Sequence, residues 1–219
     1  MRIKTLTYSL LVITLALFVT SCQKEISADT LGNSGNGNGN GGNGGNNTNN
    51  IAGDYDYVGM LAHTVSTVTA TQAGMTMKAV TTANYNTISN LGTVKITANQ
   101  MISTGVGYSV DTTINSKTYI DGVLVDNSDV PFTFTSPPTS ATSNYVRNSA
   151  DSITMQGGFG VPDPTGGSTP VGDIGAKLSW HGDTLFMKVN TTVTKNITQA
   201  GVPATLVATI DATSKLKKH

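Results

Sequence analysis

The chain has 219 residues with 13 basic and 13 acidic side chains, so its formal charge is zero. Only 12% of its residues are charged and 6% are aromatic, whereas about 25% of residues are charged in an average globular protein. A near-neutral chain offers no field that attracts nucleic acid or an anionic lipid surface, and we exclude both as electrostatic partners. The abundance of Thr, Ser and Asn is typical of an extracellular β protein.

The first residues have the pattern of a secretory signal. Arg2 and Lys4 form a short positive region, and residues 6–19 are an uncharged apolar run. That run is at the short end of what spans a bilayer, so a removed signal is expected rather than a permanent membrane helix. We predict that residues 1–21 are a signal peptide, which leaves 11 basic and 13 acidic residues in the mature chain.

The signal closes with Val19-Thr20-Ser21-Cys22, which resembles the lipobox of bacterial lipoproteins. The resemblance implies cleavage before Cys22, a diacylglycerol on its sulfur and acylation of the new amino group, for example with palmitate. Cys22 is the only cysteine, so an intrachain disulfide is impossible. Two or three acyl chains hold a protein far more firmly than one, so the predicted partner is a membrane, reached through this anchor.

A tether is predicted between the anchor and the rest of the chain, within residues 22–50. Gln23-Lys24-Glu25 resembles the surface-export signal of Bacteroidota lipoproteins, which implies the outer membrane and its cell-surface side; the periplasmic side is the alternative. Residues 32–50 are Gly and Asn apart from one Ser and one Thr. Such a segment cannot bury apolar surface, so we expect it to be disordered, with a span of about 25 Å.

From Gly53 onward the apolar residues recur with a period of two, which predicts β-strands. In residues 93–102, Val94, Ile96, Ala98 and Ile102 are expected on one face of a single strand. Similar runs continue to the end of the chain, and no window has helical spacing. Residues 51–219 are therefore predicted to be one all-β domain, an antiparallel up-and-down barrel of about eight to ten strands, with a β-sandwich as the alternative.

Turn residues separate the predicted strands. Asp121-Gly122 and His181-Gly182-Asp183 suit tight hairpins, because Gly readily adopts positive φ. Longer breaks are expected at Ser136-Pro137-Pro138 and at residues 157–175, where prolines oppose regular pairing.

The domain resembles the lipocalin-like lipoproteins of Bacteroidota. The resemblance depends on Gly53-Asp54-Tyr55-Asp56-Tyr57, the strand at residues 148–155, the hairpin at residues 180–185 and a last strand that ends in basic residues. Lipocalins usually open with Gly-x-Trp, and here Tyr55 stands at the tryptophan position. A ligand pocket inside the barrel is what this resemblance implies.

The chemical groups do not predict an enzyme, a cofactor or a metal site. Among the motifs absent are the Gly-x-Ser-x-Gly elbow, the His-Glu-x-x-His helix and the Walker loop. His63, His181 and His219 are the only histidines, and His219 is the chain end. Asp126-Asn127-Ser128-Asp129 could offer oxygen ligands to Ca²⁺, but it lacks the glycine and glutamate of an EF-hand loop, and turns of this kind usually hold no metal.

Two functions remain open on sequence grounds. The first is a non-catalytic binding module for a small apolar ligand or a glycan, in which inward alanines leave interior volume unfilled and Phe159, in the 157–175 loop, contacts the ligand as part of a lid. These alanines are Ala98, Ala176, Ala204, Ala208 and Ala212. The second is a structural or protein-interaction lipoprotein with a solid core, in which Phe159 plugs the barrel end.

Overall fold

The computed structural model describes residues 50–157, 160–162, 168–170, 172–199 and 201–219. Their regular secondary structure is β-strand, as the alternating pattern predicts, and none of it is helical. Within those ranges there is accordingly no helix with the length and hydropathy to cross a membrane. The strands are β1 (Gly53–Gln72), β2 (Met75–Asn86), β3 (Ile88–Ile96), β4 (Gln100–Ile120), β5 (Val123–Ser149), β6 (Ser152–Gln156), β7 (Gly160–Pro162), β8 (Ser168–Pro170), β9 (Ile174–His181), β10 (Thr184–Gln199) and β11 (Val202–Lys218).

One antiparallel sheet contains nine of these strands, while β7 and β8 pair with each other. The sheet closes on itself, because β1 pairs with β11 from Tyr55↔Lys218 to Ala70↔Ala204. Strands β1, β2, β4, β5, β6, β9, β10 and β11 form a ring of hydrogen-bonded neighbours in chain order. The prediction of an all-β, antiparallel, up-and-down fold is confirmed. The alternative, a β-sandwich, would have two facing sheets, whereas the nine strands here form one sheet.

Strands β2 and β3 lie end to end between β1 and β4. Strand β2 pairs with β1 as far as Leu61↔Asn86, and β3 resumes that pairing at Asp56↔Thr93. Thr87 links the two pieces to β1, because its backbone N–H donates to the Met60 carbonyl at 2.9 Å and its Oγ1 accepts the Met60 N–H at 2.8 Å. The two pieces thus act as one kinked strand of the ring.

The hydrophobic core fills the lower half of the ring, which we define as the half where β6 and β9 take part. Tyr55, Ile153 and Leu185 are completely buried there, and Tyr145 donates its hydroxyl to the Thr97 carbonyl at 2.7 Å. The ring of Trp180 lies 6.2 Å from that of Tyr55, and Trp180 is partly buried against the core. The core consists of inward-facing residues that alternate with outward-facing ones along the strands of the nine-stranded sheet.

The buried tyrosines predict alkaline unfolding. Burial raises the pKa of Tyr55 to about 12, and it also raises the pKa of Tyr57, Tyr108 and Tyr145. Between about pH 10 and 12 the unfolded chain therefore releases phenol protons that the folded chain keeps, so stability falls as pH rises through this range. We expect the denaturant midpoint, followed by circular dichroism, to decrease progressively over this interval. In Tyr55→Phe the decrease should be smaller, and an equal decrease would contradict a contribution from Tyr55.

The predicted turns at Asp121-Gly122 and His181-Gly182-Asp183 are confirmed as the β4–β5 and β9–β10 connections. Asp121 and Gly122 both have positive φ, at 49° and 82°, which suits a two-residue hairpin. The Asp121 N–H donates to the Thr76 carbonyl at 2.8 Å, and the Asp121 carboxylate accepts the Thr76 N–H at 2.8 Å. This hairpin is therefore fastened to the neighbouring hairpin of β1 and β2.

Three local predictions are wrong. Residues 148–155 are not one strand, because β5 ends at Ser149 and β6 begins at Ser152 after a turn. Residues 93–102 are not one strand, because Thr97 turns the chain by bonding to Gln100 and leaves Ala98 exposed between β3 and β4. The break expected at Ser136-Pro137-Pro138 lies inside β5, where Ser136 pairs with Tyr108. Proline is tolerated there because the register shifts between Tyr108↔Ser136 and Val106↔Thr139, which leaves Pro137 and Pro138 without a partner in β4. The other side of this part of β5 has no partner among the described residues.

Candidate functional site

The upper half of the ring is open on one side. Strand β9 pairs with β10 only as far as Val189, and β6 pairs with β5 only from Asn144 onward. Above these points β10, β11, β1, β2, β4 and β5 continue as six neighbouring strands. Their outer members, residues 190–199 of β10 and 123–143 of β5, have no second neighbour among the described pairings. Among the described residues, no strand pairs across the side between β5 and β10 in this half of the ring.

Apolar side chains line this surface, which we call the upper inner face. They lie in phase with the buried residues of the lower half, and most of them are half-buried rather than covered. Because alternate residues point to opposite faces, each strand contributes every second side chain. The principal members are Val68, Met77, Ile114, Phe132, Val193 and Leu206.

Two buried hydroxyls lie at the floor of the upper inner face. Thr64 and Ser66 on β1 are 2% and 3% exposed, and neither side-chain oxygen has a hydrogen-bond partner among the described residues. Their neighbours in the sheet are Ile210 and Ala208 on β11 and Ala83 and Thr81 on β2. A buried hydroxyl without a partner costs about 1–3 kcal/mol. The floor therefore offers polar contacts beneath an apolar wall.

One basic side chain also belongs to the upper inner face. Lys195 on β10 lies in phase with Val193 and Ile197 and is partly buried, whereas the neighbouring Thr194 and Asn196 face outward and are exposed. It pairs with Leu206 on β11, which in turn pairs with Val68 on β1. Lys195 forms no ion pair with any described residue, in contrast to Lys188, which bonds to Asp211 at 3.0 Å on the outer face.

The chain segment predicted as a lid begins and ends beside this opening. Strand β6 leads into it and β9 follows it, with Met155 paired to Ile174. The Gly157 N–H donates to the Asp173 carboxylate at 3.3 Å, which ties the two ends together. Phe159 lies outside the described residues, as does the predicted lipidation site Cys22.

The inward alanines of the prediction are found at four of five positions. Ala176, Ala204, Ala208 and Ala212 are buried and face inward, whereas Ala98 is exposed in the β3–β4 turn. Sequence reasoning missed the inward hydroxyls and Lys195. The signal for Lys195 was its position two residues from both Val193 and Ile197, which places all three on one face of a strand.

The candidate metal ligands do not come together. His63 bonds to Asn84 at 2.6 Å on the outside of β1, and His181 packs edge-on against Phe186. At the chain end, His219 Nε2 lies 2.9 Å from Asp56 Oδ1. Across the part of the chain that the structure describes, no group of three or more His, Cys, Asp or Glu side chains could hold a metal ion.

The acidic run at residues 126–129 forms part of β5 rather than a loop, so its side chains alternate between the two faces. Asn127 and Asp129 both accept hydrogen bonds from Asn115, at 3.0 and 2.9 Å. Asp126 instead accepts the Ser128 hydroxyl at 3.1 Å. Because the strand separates these two pairs, the four residues do not converge on one point.

The unpartnered hydroxyl of Thr64 predicts an unusual response to mutation. We expect Thr64→Val to leave the unfolding free energy unchanged or to raise it by up to about 1 kcal/mol, because valine has the same shape and no hydroxyl to desolvate. The matched control is Thr87→Val, which removes the buried acceptor of the Met60 N–H and should cost about 1–3 kcal/mol. Urea unfolding measures both. Equal losses in the two variants would show that the Thr64 hydroxyl is satisfied.

No family model, curated protein or solved structure matches this chain.

Proposed function

We propose that this protein is a non-catalytic, lipid-anchored lipoprotein of the outer membrane whose β domain binds a small apolar ligand on the upper inner face. The observation that carries the proposal is the contrast between the two halves of the ring. Inward side chains of the lower half are buried, whereas those of the upper half are largely half-buried.

The chemistry of the upper inner face favours an apolar ligand over a glycan. Ligand sites are typically lined by apolar side chains with a few placed polar groups. Aliphatic and aromatic residues such as Val68, Ile114 and Phe132 supply the apolar wall, and Thr64 with Ser66 supplies the polar groups. The tyrosines that could stack on sugars, such as Tyr55, Tyr57 and Tyr145, are instead buried in the lower core.

The alternative is a structural or protein-interaction lipoprotein, and the lower half favours it. There the interior is filled by large side chains, including Tyr55, Met60 and Met187. Exposed apolar residues at the upper hairpins, Met75, Val123, Leu124 and Val125, are 47 to 65% exposed and suit a contact with another protein.

A neutral fluorescent probe separates the two functions. We expect N-phenyl-1-naphthylamine to bind the purified protein saturably, with a blue shift in its emission. Val193→Trp should block binding by filling the upper inner face, whereas Thr194→Trp, on the outward face of the same strand, should leave it unchanged. If the wild-type protein does not bind the probe, the structural function is favoured; equal binding by both variants would place the site elsewhere.

The anchor requires its own experiment, since it does not depend on the binding site. Cells fed labelled palmitate should label the wild-type protein and not Cys22→Ala. Protease added to intact cells should release the domain if it faces the exterior, and protection until the outer membrane is opened would place it on the periplasmic side. Equal label in both proteins would contradict lipidation.

A further inference from the structure

We infer that the ligand of the upper inner face carries an anionic head group on an apolar chain, as a long-chain carboxylate does, and that Lys195 binds that head group. The inference depends on the proposed function and makes it more specific. It combines three features of the described residues: an apolar wall, an inward lysine without an ion-pair partner, and two buried hydroxyls without partners.

The position of Lys195 argues for a functional charge. The side chain of Lys195 lies in phase with Val193 and Ile197, and its strand partner is Leu206, so its methylene stem has apolar neighbours. Lys195 is partly buried and forms no ion pair with a described residue, so its ammonium remains available to an anionic group, with which it would form a charge-assisted hydrogen bond. A carboxylate is such a group, and its acyl chain matches the surrounding apolar wall.

The hydroxyls supply further donors below Lys195. Lys195 pairs with Leu206 on β11, and Leu206 pairs with Val68 on β1. The next two inward residues of β1 toward the lower half are Ser66 and then Thr64. Each hydroxyl has a donor without an acceptor among the described residues, and because its oxygen is buried, a ligand oxygen would have to enter the floor to accept from it. The acidic residue in the same row of the sheet, Asp126, lies at the opposite edge on β5, where it is exposed and bonded to Ser128.

An inward charge on an edge strand has another possible role. Residues 190–199 of β10 have a free edge among the described pairings, and an inward lysine can discourage a second chain from pairing there. This role predicts no preference among ligands. It predicts instead that removal of the charge changes the oligomeric state, so one variant separates the two roles.

The experiment uses 11-(dansylamino)undecanoic acid and its methyl ester, which share the apolar chain and differ in head-group charge. We expect the wild-type protein to bind the acid at least about tenfold more tightly than the ester. Lys195→Gln should remove that preference by weakening binding of the acid alone. Lys188→Gln, which removes an outward lysine from the same strand, should keep it.

Thermal unfolding and size-exclusion chromatography of each variant verify that it remains folded and report its oligomeric state. If the wild-type protein binds acid and ester equally, the inference is wrong and the proposed function stands. If it binds neither, the proposed function itself fails. A Lys195→Gln protein that keeps the preference for the acid but associates into oligomers would assign Lys195 to edge protection and overturn the inference.

Discussion

Tyr55→Ala is expected to destabilise the domain by about 3–5 kcal/mol, the usual cost of removing a fully buried aromatic side chain. Tyr55 is completely buried, its ring contacts Trp180, and its hydroxyl donates to the Ile51 carbonyl at 2.6 Å. It also lies where the ring closes, since it pairs with Lys218 on β11 and with Val94 on β3.

Urea unfolding followed by tryptophan fluorescence measures this effect directly, because Trp180 is the only tryptophan and lies beside the mutated position. Tyr55→Phe keeps the ring and removes the hydroxyl, so it should cost only about 1 kcal/mol. Val58→Ala, at a position 40% exposed on the same strand, should change stability by less than about 0.5 kcal/mol. A loss below about 1 kcal/mol in Tyr55→Ala would contradict its place in the core.

Gly92→Ala should cost about 2–5 kcal/mol, because two separate effects add. Gly92 has a φ of 95°, which disfavours any residue with a Cβ. A Cβ at this position would also lie 2.5 Å from the carbonyl of Gly105 and from the backbone nitrogen of Val106. Since those atoms are backbone, β3 and β4 would have to move apart.

The matched control is Gly122→Ala in the β4–β5 turn. Gly122 has a φ of 82°, but a Cβ there would meet no atom within 4 Å. Only the conformational effect remains, at about 1–2 kcal/mol. Denaturant unfolding of the two variants separates steric contact from backbone strain, and equal losses would show that β3 and β4 approach less closely at Gly92.

The residues that determine stability and the residue proposed to bind the ligand lie in different halves of the ring. Tyr55 and Gly92 belong to the lower, filled half and should affect folding, whereas Lys195 belongs to the open upper half and should affect binding. Ligand binding by the upper inner face would stabilise the folded protein by RT ln(1 + c/Kd), where c is the ligand concentration, so the effect grows with the logarithm of ligand concentration above Kd. A shift of the melting temperature with added 11-(dansylamino)undecanoic acid therefore gives a second readout for the binding proposal.

Much of the fold could be predicted from the sequence because its causes are local. Alternation of side chains along a strand has a period of two whatever the partner strand is, so the inward face could be read directly. Asp121-Gly122 and His181-Gly182-Asp183 mark turns because glycine adopts positive φ at little cost. Strand type, inward face and these hairpins therefore followed from residue identity alone.

Only the tertiary structure decided how the sheet closes and how far each strand pairing extends. The closure of the sheet pairs the first strand of the domain with the last one, for example Tyr55 with Lys218. These residues are separated by almost the whole sequence of the domain, so no local sequence signal encodes their pairing. Residues 93–102 alternate like a strand, yet Thr97 turns the chain, because a side-chain hydrogen bond competes with continued pairing. The open side of the upper half, and hence the environment of Lys195, exists because β6 and β9 end early while β5 and β10 continue. Strand length and register depend on contacts between distant segments, so the sequence pattern identifies the inward residues but not the part of the ring that stays open.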